Sequence, residues 1–428
     1  MSVDTGLAEL FGRRRFAIRP GIGRIKALLA RLGHPEQTFR AIHIVGTNGK
    51  GSTAAFLSAI LTAAGCHNGL FTSPHLVSYA ERFRIDGVEI AEQRLNLLTA
   101  EILAAAGPED TFFELTTALA CCWFAECNIE LALFEAGMGG KADATAAIPA
   151  AATVITPISM DHQQWLGNDI GTIAREKVAI TEAGTLAICA PQPIEARTVI
   201  TRYCLENTIQ LRMAGDQFTA DWDTDGTLSY HGPGISLNGL TPGIPGRYQQ
   251  WNAACALATA ELLAESGISI SHTALRDGIS TACWPGRMER FCLPGNAGVI
   301  LDGAHNPAGA EALAESLRLD HPGRRIILVL GVMADKELEG LLFPLLPLAT
   351  RIFTVTPDQE RALPADRLAE LCATSGFPAT ASGTIEQGFE QARHYCKADD
   401  LIVVAGSLFT VGETRALLTS QTCNAVRG

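Results

Sequence analysis

One run of residues has the composition of a chemical site: Val45-Gly46-Thr47-Asn48-Gly49-Lys50-Gly51-Ser52-Thr53. Glycines let a backbone wrap closely around a phosphate, amide N–H groups and a helix start face the anion, and a lysine adds a full positive charge. The run reads as a phosphate-binding loop, with Gly46, Thr47, Asn48, Gly49, Lys50, Gly51, Ser52 and Thr53 as its contacts. Its spacing departs from the common GxxxxGK[ST] pattern. Ile44 stands where the first glycine would be, and Gly51 separates Lys50 from Ser52. The bland alternative is a glycine turn entering a helix.

Phosphoryl transfer needs a cation to bridge the phosphates, and magnesium prefers a few oxygen ligands plus water. Glu135 is the natural candidate, because it ends the apolar run Leu131-Ala132-Leu133-Phe134, where an unpaired charge would be costly. His162 follows another apolar run and is open to three readings: loop residue, satisfied core histidine or metal ligand. Lys177 shares one helical face with Ile170, Ile173 and Ala174, while Arg175 and Glu176 face away. Periodicity alone favours a snorkelling lysine there, although a buried lysine is also the kind whose amine becomes neutral and reactive. His305 lies between an apolar run ending at Asp302 and a helix start marked by Asn306 and Pro307, where a mere capping turn would also fit.

These residues need elements to hold them. From residue 41 onward, short β-rich runs alternate with longer stretches of helical period, the signature of a parallel-sheet α/β protein. Strands are expected at 41–45, 70–72, 131–135 and 153–156, and ligands gather at the carboxyl ends of such strands. Residues 216–246, rich in Gly, Asp, Pro and Thr, read as loops with short antiparallel strands before a helix from about 251 to 266. A second alternating series starts at 299. The expected organisation is an N-terminal P-loop ATPase-like domain (1–286), a linker able to hinge (287–296), and a smaller Rossmann-like α/β domain (297–428).

Bulk properties exclude several function classes. With 47% hydrophobic and 18% charged residues in 428, the chain is expected to be globular. No apolar run approaches bilayer length, and Arg13, Arg14 and Arg15 precede no apolar stretch of a secretory signal, so cytoplasmic residence and no membrane partner are expected. A net charge of −12 argues against a nucleic-acid surface. Twelve cysteines show no metal-ligand spacing, and Cys121, Cys122 and Cys255 fall in apolar helical patterns, so reduced core cysteines are expected.

The glycine loop resembles that of the Mur ligase superfamily, and the inserted Gly51 is similar to its folylpolyglutamate synthase branch. Further motifs occur in that family's order over about residues 40 to 415. They include Thr72-Ser73-Pro74-His75-Leu76, Glu81-Arg82-Phe83-Arg84-Ile85-Asp86-Gly87, Phe112-Phe113-Glu114-Leu115-Thr116, and Phe134-Glu135-Ala136-Gly137-Met138-Gly139-Gly140. Ser159-Met160-Asp161-His162 with Trp165-Leu166-Gly167, Ile173-Ala174-Arg175-Glu176-Lys177 and Gln249 with Asn252-Ala253-Ala254 come next. Pro285-Gly286-Arg287, Asp302-Gly303-Ala304-His305-Asn306-Pro307, Asp335-Lys336 and Ala405-Gly406-Ser407 complete the set.

The resemblance implies an ATP- and magnesium-dependent acid–amino-acid ligase of folate biosynthesis. It would add L-glutamate to 7,8-dihydropteroate and to reduced folates, acting as a monomer. It implies two magnesium sites, with Ser73, Glu135 and His162 holding one ion and a carbamylated Lys177 serving the second, so that Lys177 is functional and not a snorkelling residue. It assigns Asn252, Arg287 and Asp302 to ATP, Phe113, Thr116 and Asp143 to the folate pocket, and His305 and Ser407 to glutamate, with Lys50, His162, Lys177 and His305 as the catalytic group. Where the family pattern is Gly-Gly-Arg-Leu-Asp-Ala-Thr-Asn, this chain has Gly139-Gly140-Lys141-Ala142-Asp143-Ala144-Thr145-Ala146, which bears on folate preference. Competing readings are a monofunctional folylpolyglutamate synthase, a peptidoglycan Mur ligase and a nucleotide-binding regulator without catalysis. The 45 residues before Gly46 leave no room for the UDP-binding domain of the peptidoglycan enzymes, and intact Lys50, Glu135, His162, Lys177 and His305 speak against the regulator.

Overall fold

Ala41-Ile42-His43-Ile44-Val45 and Leu131-Ala132-Leu133-Phe134 are short and apolar on both faces, as strands are when helices cover a parallel sheet on each side. The computed structural model describes residues 3–13, 21–161, 167–293, 295, 297–421 and 423. In it these runs form β1 (Arg40–Val45) and β5 (Leu131–Glu135). The chain divides into two units. The first comprises Met1–Pro74, Ala80–Gly243 and Gln250–Cys283; the second comprises His75–Tyr79, Ile244–Gln249 and Trp284–Gly428.

The first unit holds an eight-stranded sheet in the order β4-β3-β2-β5-β1-β6-β7-β8. Besides β1 and β5 it contains β2 (Asn68–Phe71), β3 (Phe83–Ile85), β4 (Val88–Glu89), β6 (Ala152–Ile155), β7 (Leu186–Cys189) and β8 (Gln210–Met213). The six strands from β2 to β8 in that order are parallel, and β3 and β4 form an antiparallel edge. β1 is central, with Ile44 opposite Glu135 on one side and Val154 on the other. The chain leaving β1 therefore emerges between the carboxyl ends of β5 and β6, the expected ligand edge. Residues 216–246 form the expected short antiparallel strands: β9 (Thr219–Trp222), β10 (Leu228–His231) and β11 (Ser236–Leu240), followed by the helix Gln249–Glu265.

The second unit holds a six-stranded sheet, β12-β13-β17-β14-β15-β16. Its strands are β12 (Glu289–Cys292), β13 (Gly298–Leu301), β14 (Ile326–Leu330), β15 (Ala349–Thr356), β16 (Thr380–Thr384) and β17 (Leu401–Ala405). All but β12 are parallel. Within the expected linker 287–296, residues 289–292 pair with 298–301 as this antiparallel edge, so that stretch is sheet and not free connector. Leu76 and Val77, from the short piece His75–Tyr79, are buried in the core that includes Val299, Val404 and Val411. Cys121 and Cys255 are buried, and Cys122 is partly so. Among the described residues no helix is long and apolar enough to cross a membrane.

Candidate active site

The loop after β1 owes its path to two glycines. Gly46 has φ 147° and Gly49 φ 88°, both in the region that side chains avoid. A Cβ on Gly46 would stand 2.0 Å from Thr156 Oγ1, and one on Gly49 2.2 Å from Asn252 Oδ1. Neighbouring loops staple the phosphate loop in place. Thr47 N donates to Pro157 O at 3.0 Å, Thr47 Oγ1 to Ser159 O at 3.1 Å, and Ser159 N returns a bond to Thr47 Oγ1 at 3.1 Å. Asn48 Nδ2 reaches Ser159 Oγ at 3.3 Å. Gly49 caps the helix Lys50–Ala63, in whose first turn Gly51, Ser52 and Thr53 lie, and Thr53 Oγ1 approaches Asn252 Oδ1 at 3.4 Å. Asn252 is thus brought to the loop.

Two amines converge on one oxygen. Lys50 Nζ donates to Gly46 O at 3.3 Å and to Thr47 O at 3.1 Å, while Lys177 Nζ donates to the same Gly46 O at 2.8 Å. Lys177 lies in the helix Ile170–Val178 and is 4% exposed, so its amine does not snorkel to solvent. Burial, and then the charge of Lys50, lower its pKa to about 7. At the adjoining strand end Glu135 is 6% exposed, and its Oε2 accepts from Ser73 N at 3.1 Å. A buried carboxylate with a serine beside it supplies hard oxygen donors, which fit a magnesium ion. His162, expected to join them, lies outside the described residues with Trp165 and Leu166. Among the described residues no three His, Cys, Asp or Glu side chains group to hold a metal.

The expected folate residues divide. Phe113 is half-buried in the first turn of the helix Phe112–Glu126, whose capping box joins Thr111 and Glu114; its ring lies against Gly137. Thr116 is fully buried, its Oγ1 donating to Phe112 O at 2.8 Å. Asp143 is also buried. Oδ1 accepts from Thr145 N (2.9 Å) and Oγ1 (2.7 Å), and Oδ2 from Met138 N (2.9 Å). Burial pushes its pKa up against those hydrogen bonds. Asp143 ties together the glycine-rich stretch after β5, its oxygens accepting from the protein's own donors.

In the second unit Asp302 behaves likewise. It is 3% exposed, and Oδ2 accepts from Tyr248 Oη at 2.6 Å and Met288 N at 3.0 Å, while Oδ1 accepts from Ala304 N at 2.9 Å. It is a buried tie whose charge faces Arg287. Arg287 Nη1 donates to Gly286 O and lies against Gly303. His305 Nδ1 is 2.8 Å from Gly303 O, which requires its proton on Nδ1. Ser407 is 2% exposed and caps the helix Leu408–Thr419, accepting from Thr410 N at 3.1 Å. Asn306 caps Pro307–Asp320 in the same way. Since β13 and β17 are neighbours, His305 and Ser407 are brought to one edge of the sheet.

A model of the family described as "Mur ligase, glutamate ligase domain" matches residues 286–408. A Bacillus subtilis protein named dihydrofolate synthase/folylpolyglutamate synthase is 32% identical over 96% of this chain and 97% of its own. This chain belongs to the dihydrofolate synthase/folylpolyglutamate synthase family. Two solved structures agree. Escherichia coli FolC in complex with DHPP and ADP is 32% identical, with TM-score 0.89 over 98% of both chains. A Yersinia pestis folylpolyglutamate synthase/dihydrofolate synthase complexed with AMPPNP and Mn ion is 31% identical, with TM-score 0.87 over 97% of this chain and 98% of that one. Members of the family are ATP-dependent ligases, and the Mur ligase-like architecture expected from sequence is the one observed.

As a family member the chain also uses residues that motif reading passed over. Thr156 and Pro157 shape the phosphate loop, and Tyr248 holds Asp302. Thr156 had one signal, its place at a strand end. Tyr248 had none, because its partner lies 54 positions away.

Proposed function

We propose that this enzyme uses Mg-ATP to join L-glutamate to 7,8-dihydropteroate, giving dihydrofolate, and then extends reduced folates through the γ-carboxylate. The convergence of Lys50 and Lys177 on Gly46 O, with Glu135 at the adjoining strand end, carries this reading. A lysine fixed in a glycine loop, with a buried carboxylate at the next strand end, suits a reaction in which charge moves over phosphate oxygens. The ADP, AMPPNP and Mn ion named for the relatives support the nucleotide and a divalent cation, and DHPP supports a pterin-containing substrate.

The substrate carboxylate attacks the γ-phosphorus, the bond to the bridging oxygen breaks, and ADP leaves. The amine of glutamate then attacks the acyl carbon, loses a proton and expels inorganic phosphate. Lys50 exchanges its loop carbonyls for phosphate oxygens, and Asn252 and Arg287 complete the nucleotide contacts. Asp302 acts through Arg287 and Tyr248. Magnesium, for which Ser73, Glu135, His162 and a carbamate on Lys177 would be the ligands at two sites, supplies charge that neutralises the phosphates. Phe113 walls the folate pocket, with Thr116 and Asp143 behind it, and His305 and Ser407 receive glutamate. On this reading the first unit carries ATP and folate chemistry, the second binds glutamate, and a cytoplasmic monomer suffices.

The test supplies purified protein with Mg-ATP and labelled glutamate, offering dihydropteroate or tetrahydrofolate separately. Label is expected on both acceptors. Transfer to tetrahydrofolate alone would make the enzyme monofunctional, and transfer to neither would overturn the ligase reading.

A further inference from the structure

The helix Gln249–Glu265 brings Asn252 to the phosphate loop, and Asn252 packs so closely on Gly49 that a change of a few tenths of an ångström would be felt. The small antiparallel sheet β9-β10-β11 meets this helix through side-chain hydrogen bonds at two points. In the first turn Gln250 Nε2 donates to Ala220 O on β9. Three turns later Glu261, 3% exposed, accepts from Tyr230 Oη on β10 and, through its other oxygen, from Gly234 N at 2.9 Å. Tyr230 is itself fully buried. A carboxylate removed from water is stable there because both oxygens have donors, and such charge-assisted bonds are the shorter and stronger kind. Residues 252 and 261 are nine apart, which is about 13 Å along a helix. Glu261 therefore touches neither the loop nor any ligand held by it.

We infer that Glu261, clamped by Tyr230 and Gly234, is a positioning residue for nucleotide binding: it sets the height of the Gln249–Glu265 helix and so the place of Asn252 against Gly49. The inference rests on the nucleotide reading of the phosphate loop. It assigns the small sheet a task, that of a buttress behind one nucleotide contact.

The experiment measures the dissociation constant of Mg-ADP by calorimetry on the full chain, for wild type, Glu261→Ala, Asn252→Ala and the double variant, with kcat and KM for ATP and glutamate alongside. Losing a charged hydrogen-bonded clamp is expected to weaken Mg-ADP by about tenfold. KM for glutamate should stay within about twofold, and the double variant should bind no more weakly than Asn252→Ala alone, because both changes act through one contact. A purely structural role would lower the melting temperature and leave the ADP constant unchanged, or give additive losses; either result overturns the inference. Should Glu261→Ala fail to fold, Tyr230→Phe, which removes one oxygen, is expected to weaken Mg-ADP about threefold, and unchanged binding would overturn the inference in its turn. Wild-type protein that binds no Mg-ADP would sink the nucleotide reading itself, whereas tight wild-type binding unaltered by both variants would sink only the role of Glu261.

Discussion

Both sheets present functional residues at their carboxyl edges, yet they treat charge in opposite ways. At the first, Lys50 and Lys177 are packed onto one backbone oxygen, two amines side by side, and burial followed by the charge of Lys50 lowers the pKa of Lys177 to about 7. At the second, Asp302 has donors on both oxygens, and Ser407 and Asn306 spend their side chains capping helices. The first edge holds its amines on backbone carbonyls, which the proposed phosphate oxygens would replace. The second is finished as protein, with two helix N-termini and a histidine at its edge, where a small carboxylate is proposed to bind. Topology alone does not distinguish them; the occupancy of each polar atom does.

The largest expected effects test the first edge. Lys50→Ala and Glu135→Gln should fold and lose turnover by about 10² to 10³, the scale seen when one group that stabilises transition-state charge is removed. Near-normal kcat in either purified variant would break the contrast.

Next comes the buried amine. With its pKa lowered to about 7, Lys177 is about nine-tenths neutral at pH 8 and about one-tenth neutral at pH 6. Only the neutral amine takes up carbon dioxide. At fixed dissolved CO₂, the carbamate resonance from ¹³C-labelled bicarbonate should therefore grow from pH 6 to pH 8 and be absent in Lys177→Arg. Equal intensity at the two pH values, or no resonance at either, would overturn the reading of an amine that titrates between them.

The smallest effect sharpens the other side. Tyr248→Phe removes one of three donors to buried Asp302 and should cost about 1–3 kcal/mol in urea unfolding, with kcat changed far less than by the loop substitutions. Loss of activity at unchanged stability would show that this edge, too, is poised for chemistry.

The phosphate loop was legible because its chemistry is local: glycines and a lysine between a strand and a helix mean the same thing wherever they occur. The strands were legible to within two residues for a similar reason. Lys177 was not, since helical periodicity puts it on an inner face without saying what waits there, and its partner Gly46 is 131 positions away. Asp143 and Asp302 show a second limit. An aspartate after a strand has the same sequence signature whether its oxygens await a ligand or hold the chain's own amides. The expected linker failed at 289–292 because an edge strand is defined by its neighbour. Nothing local in His75–Tyr79 announces that it belongs with residues more than two hundred positions later.

That last piece constrains how the molecule can be made and altered. His75–Tyr79 leaves the ribosome long before Val299, Val404 and Val411, with which Leu76 and Val77 share a core, have been synthesised. The nascent chain must carry those two apolar residues without their shelter until translation is nearly complete, a window in which a chaperone has something to hold. For the same reason, a gene cut between codons 283 and 284 yields two incomplete products, and exchange of the second unit between relatives would have to move three separate stretches together. Recombination that respects only the linear order should be selected against.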